Sequence, residues 1–167
     1  MKLTNKQLIN NFKQWARDRN LIDGSSPAAQ SIKLSEEFGE VCAGISRRKQ
    51  SLTEDGIGDC AVVLTIIAEQ LGFKTSFDDV TLPNDITKSK NYLPYLNMKI
   101  ASLMLNAHAV SMPGFDDFDF ECTCHYLVYV SAQQGCDFND CLNKAWNEIK
   151  DRKGKMVDGI FVKEADL

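Results

Sequence analysis

"EDGIGDCAVVLTIIAEQ", residues 54–70, decides the fold. At about 100° per residue Asp55 and Asp59 stack on one side of a helix, and Val62, Val63 and Ile66 continue that side. The opposite side carries Ile57, Cys60, Leu64 and Leu71. A helix that is apolar all round is a buried one. Thr53 is a candidate N-cap for it, and Gly72 ends it. Its apolar core, residues 60–68, is far shorter than the roughly 20 residues that span a bilayer. The sequence therefore predicts a core helix of a cytoplasmic protein, with no membrane partner.

A core helix needs other helices to cover it, and the rest of the chain supplies them. Residues 4–20 read as a first helix, with Leu8, Phe12 and Trp15 at helical spacing. "DGSSP", residues 23–27, breaks it, and Pro27 opens a second helix running to about residue 49. Leu34, Phe38, Val41 and Ile45 form one apolar stripe on that helix. Beyond Gly72, residues 75–89 look irregular. Further helices are expected over about 91–110, 117–134 and 137–152, separated by "SMPGFDD" (111–117) and Gly135, with Asp137 as a cap. The tail "GKMVDGIFVKEADL" holds two short extended stretches around Asp158-Gly159, which reads as a small hairpin.

No repeat or linker divides the chain. The expectation is one all-α domain over residues 1–167, with 84–120 as an insertion or an extended version of the later helices. Long strands and Gly-rich phosphate loops are absent, which argues against P-loop and dinucleotide-binding folds. The length of 167 residues suits one domain with a sizeable core. A net charge of −4 gives no general case for nucleic-acid or membrane binding. The N-terminal stretch lacks the apolar run of a signal peptide. The six cysteines should then stay reduced, and Cys60, Cys136 and Cys141 read as small core hydrophobes. "CTCH", residues 122–125, lacks the second ligand pair of a structural zinc site and reads as plain helix.

The chemistry lies in the acids. "KLSEEFGEVCAG", residues 33–44, places Glu36, Glu37 and Glu40 in one sector of the second helix, apart from its apolar stripe. A solvated face, or pairing with Arg47, Arg48 and Lys49, would account for them. Asp59 is harder to dismiss, because it begins a buried segment where a lone carboxylate is costly. It requires a cation, a metal or a shifted pKa. Two helices that each present acids point to one carboxylate cluster, and hard divalent cations take such oxygen ligands.

The spacing resembles that of the MazG-like family of all-α nucleoside triphosphate pyrophosphohydrolases, relatives of dimeric dUTPases and phosphoribosyl-ATP pyrophosphohydrolases. The family signature is E-E-x-x-E on one helix and E-x-x-D on the next. "EEFGE" supplies the first half, and "DGIGDCAVVL" resembles the second. The position three before Asp59 is Gly56, so Asp55, one turn from Asp59, stands in for the missing acid. "NKAWNEIKDRKGK", residues 143–155, resembles the K-x-x-N-x-x-K pattern that contacts substrate in some relatives. The alternative for that stretch is a basic, solvated helix end. The resemblance covers roughly residues 28–72 and 137–155.

The resemblance implies a four-helix-bundle-like core with extra helices and the short C-terminal hairpin. It implies Mg²⁺-dependent conversion of a (d)NTP to (d)NMP and pyrophosphate, as nucleotide-pool house-cleaning, with Mn²⁺ as a substitute metal. Glu36, Glu37, Glu40 and Asp59 would be catalytic. Glu37, Glu40, Asp55 and Asp59 would hold the metal, and Lys144, Asn147, Lys150 and Arg152 the substrate. It further implies a homo-oligomer, dimer or tetramer. The alternative class is a non-catalytic helical nucleotide-binding or protein-interaction module. Nucleic-acid binding is disfavoured by the acidic balance and by the lack of aromatic interleaving beyond Trp146.

Overall fold

The computed structural model describes residues 2–108 and 115–164. Six helices occupy the described residues: α1 (Asn5–Asp18), α2 (Pro27–Arg47), α3 (Gln50–Leu71), α4 (Leu93–His108), α5 (Asp117–Gln133) and α6 (Phe138–Ile149). A two-stranded antiparallel hairpin follows, β1 (Gly154–Val157) and β2 (Ile160–Lys163). The all-α expectation holds. No helix of the described residues is long and apolar enough to cross a membrane.

Local chemistry explains most of the boundaries. Thr4 and Gln7 form a reciprocal capping box at α1. Ser26 caps α2 with Pro27 in its first turn, and Asp116 and Asp137 cap α5 and α6 through their side chains. Gly72 and Gly135 take positive φ after α3 and α5. Asp158 and Gly159, at φ 50° and 81°, form the hairpin turn.

Two boundaries differ from the sequence expectation. Thr53 is not the N-cap of α3; the helix begins at Gln50, directly after a tight turn in which Arg48 is left-handed. The Thr53 hydroxyl instead donates to the Lys49 carbonyl at 3.3 Å, and its side chain is buried where α3 crosses Gly44. Tertiary contact, not capping, placed that threonine. Helix α6 stops at Ile149 rather than near 152, and the Arg19 guanidinium donates to the Arg152 carbonyl just beyond it.

Helix α3 is the centre of the molecule. Thirteen of its residues are buried, and it packs against α1, α2, α5 and α6. Helix α4 lies on α2 and α5 and adds Leu96, Ile100 and Leu103 to the same core. Residues 84–120 thus contribute α4 and the first turn of α5, while 109–114 lie outside the described residues. The expected break at 111–117 falls largely there. Cys60, Cys124, Cys136 and Cys141 are buried free thiols, and Cys122 and Cys124 are ordinary residues of α5.

Small residues set the close approach around α3. A Cβ on Gly56 would sit 2.8 Å from the Val41 backbone nitrogen, and one on Gly58 would sit 2.4 Å from the Cys141 carbonyl oxygen. Both obstacles are backbone, which moves only with its helix. Alanine normally stabilises a helix interior by roughly 0.5–1 kcal/mol over glycine. Gly58→Ala is expected to do the opposite, lowering stability by about 2 kcal/mol because α6 must back away. Urea unfolding measures this, and a gain in midpoint would show that α6 does not seat on α3 here.

Candidate functional site

Helices α2 and α3 run antiparallel from the tight turn at residues 48–49, so Gly44 meets Thr53, and Glu37 and Val41 meet Gly56. Their shared face opens into a cleft of about 460 Å³, closed by parts of α1, α6 and the hairpin. Pockets of this size commonly hold small ligands. The antiparallel pairing gives the cleft two unlike ends. Glu36, Glu37, Glu40, Asp55 and Asp59 line the end nearer the turn, together with Glu148 from α6. Val62, Val63 and Ile66 line the other end, with Trp15, Leu21 and Phe161. From Asp59 to Ile66 the helix rises roughly 10 Å. The apolar residues that continue the acidic side of α3 are therefore the other half of one groove.

All five acids expected from the sequence come together. The structure adds a sixth, Glu148, hidden in the sequence by its place beside Asn147 in an otherwise basic stretch. It also adds Lys33, whose spacing of three and four from Glu36 and Glu37 is the usual helical ion-pair spacing. Lys33 Nζ lies 2.9 Å from Glu36 and 2.6 Å from Glu37. Glu37 is buried, whereas Glu36 is largely exposed.

The crowding of like charges shows in their proton affinities. Burial, then the charges of Glu37, Asp55 and Glu148, push the Asp59 carboxyl up to about 7, with Arg152 opposing. Glu40 is raised by burial and by Glu37 and Asp55. Glu148 is raised by burial and by the charge of its neighbour Asp55. On Lys33, burial works against the charge, but hydrogen bonds to Glu37 and Glu36 outweigh it and raise the pKa. Asp55 Oδ1 is buried without a hydrogen-bond partner, although Lys144 Nζ forms an ion pair with it at 3.4 Å.

The basic helix divides. Arg152 lines the cleft. Lys144 is occupied at the start of α3, donating to the Ser51 carbonyl at 2.8 Å and to its hydroxyl at 3.1 Å. Asn147 and Lys150 are exposed, hydrogen-bond to each other at 3.2 Å and do not line the cleft. The aromatic end is held by Trp15, whose indole N–H donates to the Ile149 carbonyl at 2.7 Å. Phe161 meets it edge-on at 6.1 Å between centroids, and Arg19 stacks on its face.

As the side chains stand, no three acidic, histidine or cysteine groups among the described residues converge to hold a metal ion. Lys33 draws Glu36 and Glu37 to itself. The chemistry of the set nonetheless suits a hard divalent cation. The acidic donors are all carboxylates, one buried oxygen lacks a hydrogen bond, and three carboxyl groups hold protons more tightly than usual because burial, and then neighbouring acids, oppose their charge. Gly56 occupies the place of the acid that the E-x-x-D pattern requires, and the backbone of α2 leaves no room for a side chain there.

No family model matches the chain. No solved structure matches it. Over 65 residues it is 54% identical to an uncharacterized 18.2 kDa protein from the rep-hol intergenic region of Haemophilus phage HP1 (strain HP1c1). That similarity covers 39% of this chain and 40% of the phage protein.

Proposed function

We propose that the protein is a Mg²⁺- or Mn²⁺-dependent nucleoside triphosphate pyrophosphohydrolase of the MazG-like kind, built on that family's four-helix core and active as a homo-oligomer. The observation that carries the reading is that six carboxylates from three helices line one cleft, beside an apolar and aromatic end. Such polarity suits a ligand with an anionic, metal-chelating tail and a flat, less polar head.

In this reading Glu37, Glu40, Asp55 and Asp59 hold the metal, and Glu148 belongs to the same set. The bound cation would neutralise phosphate charge and orient the triphosphate. Arg152 lines the cleft and takes the phosphate-binding role among the basic residues. Glu36, the most exposed of the α2 acids, acts as general base on a water. The water oxygen adds to the α-phosphorus, its proton passes to the carboxylate, and the bond to the bridging oxygen breaks to release pyrophosphate. Trp15, Phe161 and Ile66 exclude water from the nucleoside end.

The test is pyrophosphate release from a panel of canonical and damaged (d)NTPs with Mg²⁺, for the wild type and Glu40→Gln. Release that falls at least about a hundredfold in the variant is expected, the scale of losing one well-placed charged group. A second reading, a non-catalytic nucleotide-binding module, is favoured by Gly56 alone. It predicts metal-dependent nucleotide binding without pyrophosphate.

A further inference from the structure

Of the cations expected to meet a triphosphate, Arg152 lines the cleft, whereas Lys144 is engaged at Ser51 and Lys150 at Asn147. A triphosphate carries more charge than one arginine balances. Lys33 is the other cation lining the cleft, and its side chain is 47% exposed. Its present partners, Glu36 and Glu37, belong to the acidic cluster, and Glu37 is buried with Lys33 as its ion-pair partner at 2.6 Å. Lys33 holds Glu37 through one carboxylate oxygen, and a divalent cation brought to the same carboxylate repels the ammonium.

We infer that Lys33 is a stand-in cation: it neutralises Glu37 and Glu36 in the metal-free protein, and is displaced by the divalent ion onto the phosphates of the substrate. The inference rests on the metal reading above. The swap leaves no charged group unpaired, because the glutamates exchange an ammonium for a divalent ion while the ammonium gains phosphate oxygens. Lysine suits this task. Its flexible four-carbon stem and point charge let it swing between partners, whereas the planar fork of arginine favours a fixed bidentate pair. The device also couples the two ligands: metal binding frees a phosphate donor, and phosphate binding holds Lys33 away from the glutamates. By linkage the coupling is reciprocal.

The test is binding, not turnover. Mn²⁺ affinity is measured by calorimetry on the full chain, with and without inorganic pyrophosphate, for wild type, Lys33→Met and Lys33→Arg. Lys33→Met is expected to bind Mn²⁺ about tenfold more tightly in the absence of pyrophosphate, since nothing competes for Glu37. The same variant should lose most of the enhancement of pyrophosphate affinity by Mn²⁺. Lys33→Arg keeps the ion pair, and should bind Mn²⁺ no more tightly than wild type. Equal or weaker Mn²⁺ binding by a folded Lys33→Met, or an unchanged enhancement, would overturn the inference while leaving the metal site standing. Mn²⁺ binding by none of the three proteins would overturn the inference and the metal reading together.

Discussion

Asp59→Asn is expected to make the metal-free protein more stable while abolishing pyrophosphate release. The wild-type carboxyl sits near pKa 7 in the fold against an ordinary value of 3.8, chiefly because burial and neighbouring acids oppose its charge. The folded protein therefore holds a proton on Asp59 between about pH 4 and pH 7 that the unfolded chain has lost. The wild type loses stability as pH rises through that window and is flat above it. A difference of about three units corresponds to at most about 4 kcal/mol, and relaxation of the open cleft reduces this to about 2 kcal/mol. Asparagine has nearly the same shape and never ionises. Its expected gain at pH 8 is thus a rise in melting temperature of roughly 4–8 °C for a chain of this size. The gain shrinks as the pH is lowered toward 4. Calorimetric scans of both proteins at pH 8 and pH 5 measure it. A variant no more stable than wild type at pH 8 would show that Asp59 is already compensated and does not wait for a cation.

The second large effect is on metal affinity. Mn²⁺ or Mg²⁺ must displace the Asp59 proton below about pH 7, so apparent affinity should weaken about tenfold per unit below that value. Between pH 8 and pH 5.5 the loss is about thirtyfold, with Glu40 and Glu148 adding to it at the acid end because their carboxyl groups are also raised. Titration calorimetry in two buffers of unlike ionisation enthalpy counts the protons: about one released at pH 6, and close to none at pH 8. The same cation should raise the melting temperature more at pH 8 than at pH 6. An affinity that does not change with pH would remove Asp59 from the ligand set.

These expectations depend on a site that was only partly legible in the chain. Glu36, Glu37, Glu40, Asp55 and Asp59 could be read because each lies on a regular helix, where spacing alone decides which side chains share a side. Glu148 could not, since it comes from a helix more than eighty residues away in sequence and sits between Lys144, Asn147 and Lys150, the residues that drew attention there. Lys33 was not singled out: the cations weighed as partners for the glutamates were Arg47, Arg48 and Lys49, whereas Glu36 and Glu37 pair with Lys33. Lys144, Asn147 and Lys150 show the reverse case. Their spacing on α6 is as regular as that of the acids, yet the way α6 seats on α3 through Gly58 and Ala145 brings Glu148 and Arg152 into the cleft and leaves Asn147 and Lys150 outside.

The sequence by itself determined the helical class, the central place of residues 57–68, the Asp137 cap, the glycine stops at Gly72 and Gly135, the hairpin turn at Asp158-Gly159 and the shared sides of the five acids within their own helices. Each follows from local propensity or from periodicity within one element, and both act over a few residues. The tertiary structure alone decided that Thr53 lies inside α3, that Gly56 has no room for an acid, and that the apolar flank of α3 lines the same groove as its aspartates. It also decided which cations face that groove. These depend on how closely and at what rotation one helix meets another, which is set by the summed packing of the whole core.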